Sequence, residues 1–131
     1  MTDLEQAQAN GTAPWDLKVT KLSDFHVTVF EDRYPVTSGH LLFVPNYNTV
    51  SVIVDAMDSA MRHGQTLVEQ RHCDAFNVGI NMGRAAGQTV MYPHVHLIPR
   101  RVGDCADPTG GVRGVIVGQA NYKATDYQKP A

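Results

Sequence analysis

Residues 25–44 read FHVTVFEDRYPVTSGHLLFV, and they decide the fold class. Phe25, Val27 and Val29 alternate with His26, Thr28 and Phe30 up to Glu31, the period of two that sends successive side chains to opposite faces of a strand. Asp32-Arg33-Tyr34-Pro35 and Thr37-Ser38-Gly39 supply turn formers, and residues 40–44 (HLLFV) make a second apolar run, stopped by Pro45 and Asn46. Two strands with so short a connection pair antiparallel. Further along, residues 52–73 predict one helix with Val54, Met57, Met61, Val68 and His72 along its apolar stripe, and Gly64 as its weak point. Residues 74–81 (DAFNVGIN) return to alternation, with Phe76, Val78 and Ile80 on one face. A loop over residues 83–88 (GRAAGQ) leads to a fourth strand over 94–98 (HVHLI), ending at Pro99. The order β-β-α-β-β, without βαβ alternation, specifies an α+β fold on an antiparallel sheet.

The chain has 131 residues, enough for one domain with its own core. The first thirteen (MTDLEQAQANGTA) show no period that could bury a face, so a mobile tail over 1–13 is expected ahead of a single domain over 14–131. Eleven Lys and Arg against thirteen Asp and Glu give a net charge of −2, which argues against gripping a nucleic-acid backbone by bulk charge. No apolar run approaches the roughly 18 residues of a membrane span. The start has neither the basic nor the apolar region of a secretion signal. Cys73 and Cys105 form neither a disulfide framework nor a zinc-type pair. The expected setting is the cytoplasm, without membrane or nucleic-acid partners. Beyond Arg101 the sequence is Gly-rich and irregular, broken only by Val115-Ile116-Val117.

His94 and His96 stand two apart on the fourth strand, so their side chains share a face, and Tyr92 has the same parity. Just before them Gly87-Gln88-Thr89 forms a turn whose N–H groups could make an anion-binding nest, with Arg84, Arg100 and Arg101 flanking it. Imidazoles, a nest and guanidinium groups suit phosphoryl chemistry: a neutral imidazole attacks phosphorus or moves a proton near pH 7 while N–H donors hold the phosphoryl oxygens. Other readings stay open at this level. Two such histidines also suit a solvated strand face, and a zinc site would need further ligands that no nearby cysteine supplies, so no metal is expected. Asp32 fits an Asx turn, His40 a partly buried hydrogen-bonded residue, Trp15 and Tyr34 packing or base stacking, and Arg113 a phosphate contact or a tail salt bridge.

Residues 87–101, GQTVMYPHVHLIPRR, resemble the signature of the histidine triad (HIT) superfamily of nucleotide hydrolases and transferases, His-φ-His-φ-His-φ-φ preceded by Gly-Gln-Ser/Thr-Val, with φ apolar. The resemblance extends through residues 30–45 and 77–83. Residues 110–116 (GGVRGVI) are similar to the tail of bacterial diadenosine tetraphosphate hydrolase-like members, so that residues 25–122 are covered. It implies a HIT-like sheet of about five strands with one main helix, continued across a homodimer. It implies that His94 attacks the α-phosphorus and becomes nucleotidylated and that His96 binds the phosphate. Gly87, Gln88 and Thr89 would then serve phosphate and leaving group, with Asn81 ahead of them, Asp32 on the ribose hydroxyls and His40 close by. Tyr92, Arg84 and Arg100 are further candidates. Tyr92 departs from the pattern, standing where the first histidine belongs, and a phenol does not ionise near pH 7. The implied function is hydrolysis of a nucleoside 5′-phosphoryl bond in a dinucleoside polyphosphate or a nucleoside phosphoramidate. No cofactor is required, and Mg²⁺ would enter only with a polyphosphate substrate. The alternatives are a weakly catalytic nucleotide-binding or sensing protein and a nucleotidyltransferase.

Overall fold

In the computed structural model, which describes residues 1–130, β1 (Val27–Glu31) and β2 (Leu41–Pro45) pair antiparallel with Phe30 opposite Leu42. The strand starts two residues later than its alternation suggests, because the Asp24 carboxylate accepts from the N–H groups of His26 and Val27 and holds a turn there, leaving Phe25 in solvent. Helix α2 (Val50–Glu69) follows, capped by the Thr49 hydroxyl, then β3 (Ala75–Ile80) and β4 (Val95–Arg100). The sheet order is β1-β2-β4-β3, all antiparallel, with His96 between Leu42 of β2 and Gly79 of β3. The expected sheet of about five strands thus has four, and a single bridge from Lys18 to Phe30 lies beyond β1.

β4 runs through Pro99 to Arg100 instead of ending at the proline. The Pro99 carbonyl accepts from the Thr37 hydroxyl, so this residue's polar side faces the flank where β2 has already ended at Leu41, and the missing N–H breaks no ladder bond.

Both sheet faces are covered. Val27, Val29, Leu41, Phe43, Val95 and Leu97 point at α2, which meets them with Ala56 and Ala60. The buried line of this helix is Ala56, Ala60 and Gly64, not the Val54–Met61 stripe expected from hydrophobicity; Val54 and Met61 are about half exposed. Small residues let the helix axis approach closely. At Gly64 a Cβ would fall 2.7 Å from the Phe76 ring, so the position read as a weak point is where helix and β3 touch.

On the other face lies a segment expected to be a mobile tail. Residues 3–9 form helix α1 (Asp3–Ala9), closed by a capping box between Thr2 and Glu5. Leu4, Ala7 and Ala13 are buried with Phe30, Leu42, Val44 and Tyr92. The Leu4 N–H donates to Asn46 O, and the Asp3 carboxylate accepts from Asn48 N–H, tying α1 to the end of β2. The boundary at residue 13 therefore falls inside a packed unit. Among the described residues the chain divides into two compact units, Met1–Arg100 and the residues from Arg101 on.

The second unit is organised by Arg113. Its guanidinium donates to the carbonyls of Gln119 and Ala120 and lies 5.4 Å and 5.8 Å from the ring centroids of Tyr122 and Tyr127. That is the role of Arg113 in place of the phosphate contact or salt bridge considered above. Gly110 has φ +83°, and a Cβ there would collide with Ala120 O at 1.8 Å, so the Gly-rich sequence is needed for this unit to close.

Candidate functional site

One pocket of about 700 Å³ opens over the β1–β2–β4 face. His94, His96, Asn81, Gly87, Gln88, Thr89 and Val90 line it, together with Pro14, Trp15, Asp16, Asp32, Arg33 and Tyr34. The sequence candidates His94, His96, Asp32, Asn81, Gly87, Gln88 and Thr89 are thus brought together. Strand parity explains the histidines: Val95 and Leu97 are buried toward α2, so the neighbouring even positions face the pocket.

Backbone and side-chain partners fix the protonation of each ring. His94 Nδ1 is 2.8 Å from Tyr92 O. A carbonyl only accepts, so Nδ1 carries the proton and Nε2 keeps its lone pair. On the neighbouring ring the pattern is reversed. Val36 N–H donates to His40 Nδ1 at 3.2 Å, so neutral His40 is protonated at Nε2. That Nε2–H meets His96 Nδ1 at 2.9 Å, with Asp32 Oδ2 3.4 Å away. His96 Nδ1 then accepts, and its proton sits on Nε2. The two pocket imidazoles, their ring centroids 5.1 Å apart, are an acceptor and a donor side by side.

Both stay neutral at pH 7. Burial pushes His94 below its ordinary value of 6.5, against the opposing pull of the Tyr92 carbonyl and the Asp32 charge. Burial, then the neighbouring His94 and His40, push His96 down to about 4. Burial also lowers His40, with Asp32 opposing.

Asp32, His40 and His96 bring three ligating atoms within 4.8 Å of one another, a spacing that could hold a metal ion. The donor set does not fit one. A metal on His40 Nε2 would leave the proton on Nδ1, facing the Val36 N–H, whereas ligating histidines donate their second N–H to an acceptor. The cluster is a hydrogen-bond chain. Asp32 also makes the Asx turn allowed by its position, its Oδ1 accepting from Tyr34 N–H at 2.7 Å while Oδ2 faces His40.

Three sequence expectations change. Tyr92 does not enter the pocket with its ring: the hydroxyl donates to Pro45 O at 2.6 Å inside the core, where burial raises its pKa to about 12. Only its main-chain carbonyl reaches the site, on His94. The nest is partly spent on its own loop. Gly87 N–H donates to Arg84 O and Gln88 N–H to Gly83 O, while the Gln88 amide accepts from Gly83 N–H and donates to the carbonyls of Val90 and Met91. Gln88 is a strut that holds the loop, and Thr89 is left facing the pocket. Arg84 and Arg100 do not line it; Arg100 bonds Asn77 on the neighbouring strand.

The sequence did not single out Asp16 and Arg33, which form an ion pair in the pocket lining, and it left Trp15 between packing and stacking. Trp15 does both, its ring 6.0 Å from Phe30 and 4.8 Å from His94. These residues meet only through the docking of the N-terminal segment, and no local spacing marks them.

The family model described as HIT domain matches residues 18–103. Over 95 residues the chain is 34% identical to the asymmetrical bis(5′-nucleosyl)-tetraphosphatase of Schizosaccharomyces pombe, covering 67% of this chain and 50% of that protein. Over 79 residues it is 35% identical to an adenosine 5′-monophosphoramidase of Saccharomyces cerevisiae, covering 55% and 48%. The chain spans about half the length of these relatives. Among solved structures, a zinc-bound histidine triad family protein from Mycobacterium smegmatis superposes with a TM-score of 0.63 at 30% identity, covering 77% of this chain and 76% of that one.

Proposed function

The chain belongs to the HIT domain family, whose members related to it include nucleotide hydrolases, and on that premise we propose that it hydrolyses a nucleoside 5′-phosphoryl bond through a nucleotidyl intermediate on His94. The observation that carries the proposal is the pairing of tautomers. His94 Nε2 offers its lone pair to phosphorus beside the Nε2–H of His96, which donates to a non-bridging oxygen as charge builds there. Attack forms the N–P bond and breaks the bond to the leaving group, which departs with the electron pair and a proton from water. The Tyr92 carbonyl stabilises the imidazolium through Nδ1–H. Water then attacks phosphorus, giving up one proton to the hydroxide left by the first step, the N–P bond breaks, and the lone pair returns to Nε2. In this reading Asp32 binds the ribose hydroxyls and Thr89 serves phosphate and leaving group, and both line the same pocket as Asn81.

The pocket's charge favours the phosphoramidate over the dinucleoside polyphosphate. Its ionised lining is Asp16, Glu31 and Asp32 against Arg33, three carboxylates to one guanidinium, with both histidines neutral. Each further phosphate of a polyphosphate adds charge that such a lining repels, more than the single phosphoryl group of a phosphoramidate does.

We also propose a homodimer. β3 ends the sheet with an unpaired edge, and Val50, Val54 and Met61 leave an apolar stripe exposed along α2 beside it. Light scattering at micromolar concentration should give twice the 14.4 kDa of the chain.

Intact mass spectrometry after brief mixing with adenosine and guanosine phosphoramidates and dinucleoside polyphosphates tests the reaction. A nucleotide adduct on the wild type that is absent from His94→Ala is expected. Turnover by the wild type that His94→Ala retains in full would overturn it.

A further inference from the structure

We propose that the Asp16–Arg33 ion pair reads the base of the bound nucleotide and selects guanine over adenine. This rests on the pocket taking a nucleotide with its phosphate at His94 and His96. The same pocket is lined by Trp15 and Tyr34, which offer ring faces, and by Leu42, which offers an aliphatic one; with the phosphate at the histidines and the ribose at Asp32, the base lies against these in the reading proposed. The lining also holds a carboxylate and a guanidinium that are joined to each other. Arg33 Nη2 bonds Asp16 Oδ1, while Asp16 Oδ2 and Arg33 Nη1 take no hydrogen bond among the described residues, and both side chains are more than half exposed at the mouth.

Each partner favours guanine for its own reason. A carboxylate accepts two parallel bonds from guanine N1–H and the 2-amino group, whereas adenine presents a lone pair at N1 that repels it. A guanidinium donates two parallel bonds to guanine O6 and N7, whereas adenine places its 6-amino donors against it. Whichever of the two meets the base, the preference has the same sign. A pyrimidine covers less of Trp15 and offers neither edge in full.

The test uses the whole chain and two mononucleotides, GMP and AMP, with Trp15 fluorescence or calorimetry giving Kd at 150 mM salt. GMP should bind about tenfold more tightly, the ratio expected of one partly exposed bidentate pair. Asp16→Asn and Arg33→Gln should each weaken GMP more than AMP and bring the ratio toward one. A pair that merely ties the N-terminal segment to the β1–β2 turn would weaken both nucleotides by one factor. Equal affinities in the wild type, tighter AMP, or an unchanged ratio in both variants overturns the base reading. Preference for GMP without turnover of any phosphoramidate leaves the base reading standing and removes the hydrolase. Failure to bind either nucleotide removes both.

Discussion

The indole of Trp15 lies 4.8 Å from the imidazole of His94, centroid to centroid, with the planes at 59°. Trp15 is the only tryptophan of the chain, so its emission reports on the ring that carries the lone pair. An imidazolium quenches a neighbouring indole. Acidification should quench the protein's fluorescence with a midpoint below 6.5, because burial holds His94 below that value. The variant His94→Gln should show no such step. A midpoint at or above 7 would mean that His94 is not the buried neutral base described.

The two pocket histidines should fail differently. His94→Ala removes the attacking atom and should lower turnover by several orders of magnitude while nucleotide still binds. His96→Ala removes one donor to the phosphoryl oxygens, an effect on the order of 10²–10³ in rate. Single-turnover kinetics with one phosphoramidate compares them directly.

Tyr92→Phe is expected to affect folding more than chemistry. The ring stays packed against Leu4 and Phe30, and the main-chain carbonyl still holds His94. The buried Pro45 carbonyl loses its donor, at a cost of about 1–2 kcal/mol in urea unfolding. Turnover should change less than about twofold. A hundredfold loss of rate with unchanged stability would show that the hydroxyl acts in the reaction.

Acid should loosen the protein through the same histidines. His40, His94 and His96 all have lowered pKa values in the folded chain, so below about 6.5 the unfolded chain binds protons that the native state refuses. Stability is then full above pH 6.5 and falls as pH drops from there toward about 4, the value for His96. Urea midpoints of wild type and His96→Gln, taken from pH 7.5 to 4, should converge as pH falls.

Gly64→Ala should destabilise despite the better helix propensity of alanine. Its Cβ would sit 2.7 Å from the Phe76 ring, and overpacking of this kind costs typically 1–3 kcal/mol. Thermal unfolding of Gly64→Ala and of Gly64→Ala with Phe76→Leu should show the second change recovering part of the loss.

The strands and the two pocket histidines were legible because a period of two survives in FHVTVFE and HVHLI. The face of α2 was not, because hydrophobicity points to Val54 and Met61 while close approach is decided by the small side chains of Ala56, Ala60 and Gly64. Helix α1 announces itself only by Thr2-x-x-Glu5, a capping box ahead of a stripe of one leucine and alanines too small to register. The partners of Tyr92 and Gln88 had no local signal for a shared reason: their polar atoms are used by Pro45 O, distant in the chain, and by the loop's own Gly83, Val90 and Met91. The Asp16–Arg33 pair had no local signal at all.

The connection between Asp32 and His40 carries a constraint that surface turns normally escape. Asp32 starts it, Val36 N–H in its middle sets the His40 proton, Thr37 fastens it to Pro99, and His40 closes it. Surface loops usually accept added residues at small cost. Here one inserted residue would shift Val36 out of reach of Nδ1 and free His40 to turn its other nitrogen toward His96, exchanging donor for acceptor at the phosphate. For the proposed reaction the length of this turn is therefore part of the chemistry, and its eight-residue step from Asp32 to His40 should tolerate substitution of the exposed Val36 side chain, which keeps the N–H, far better than any insertion.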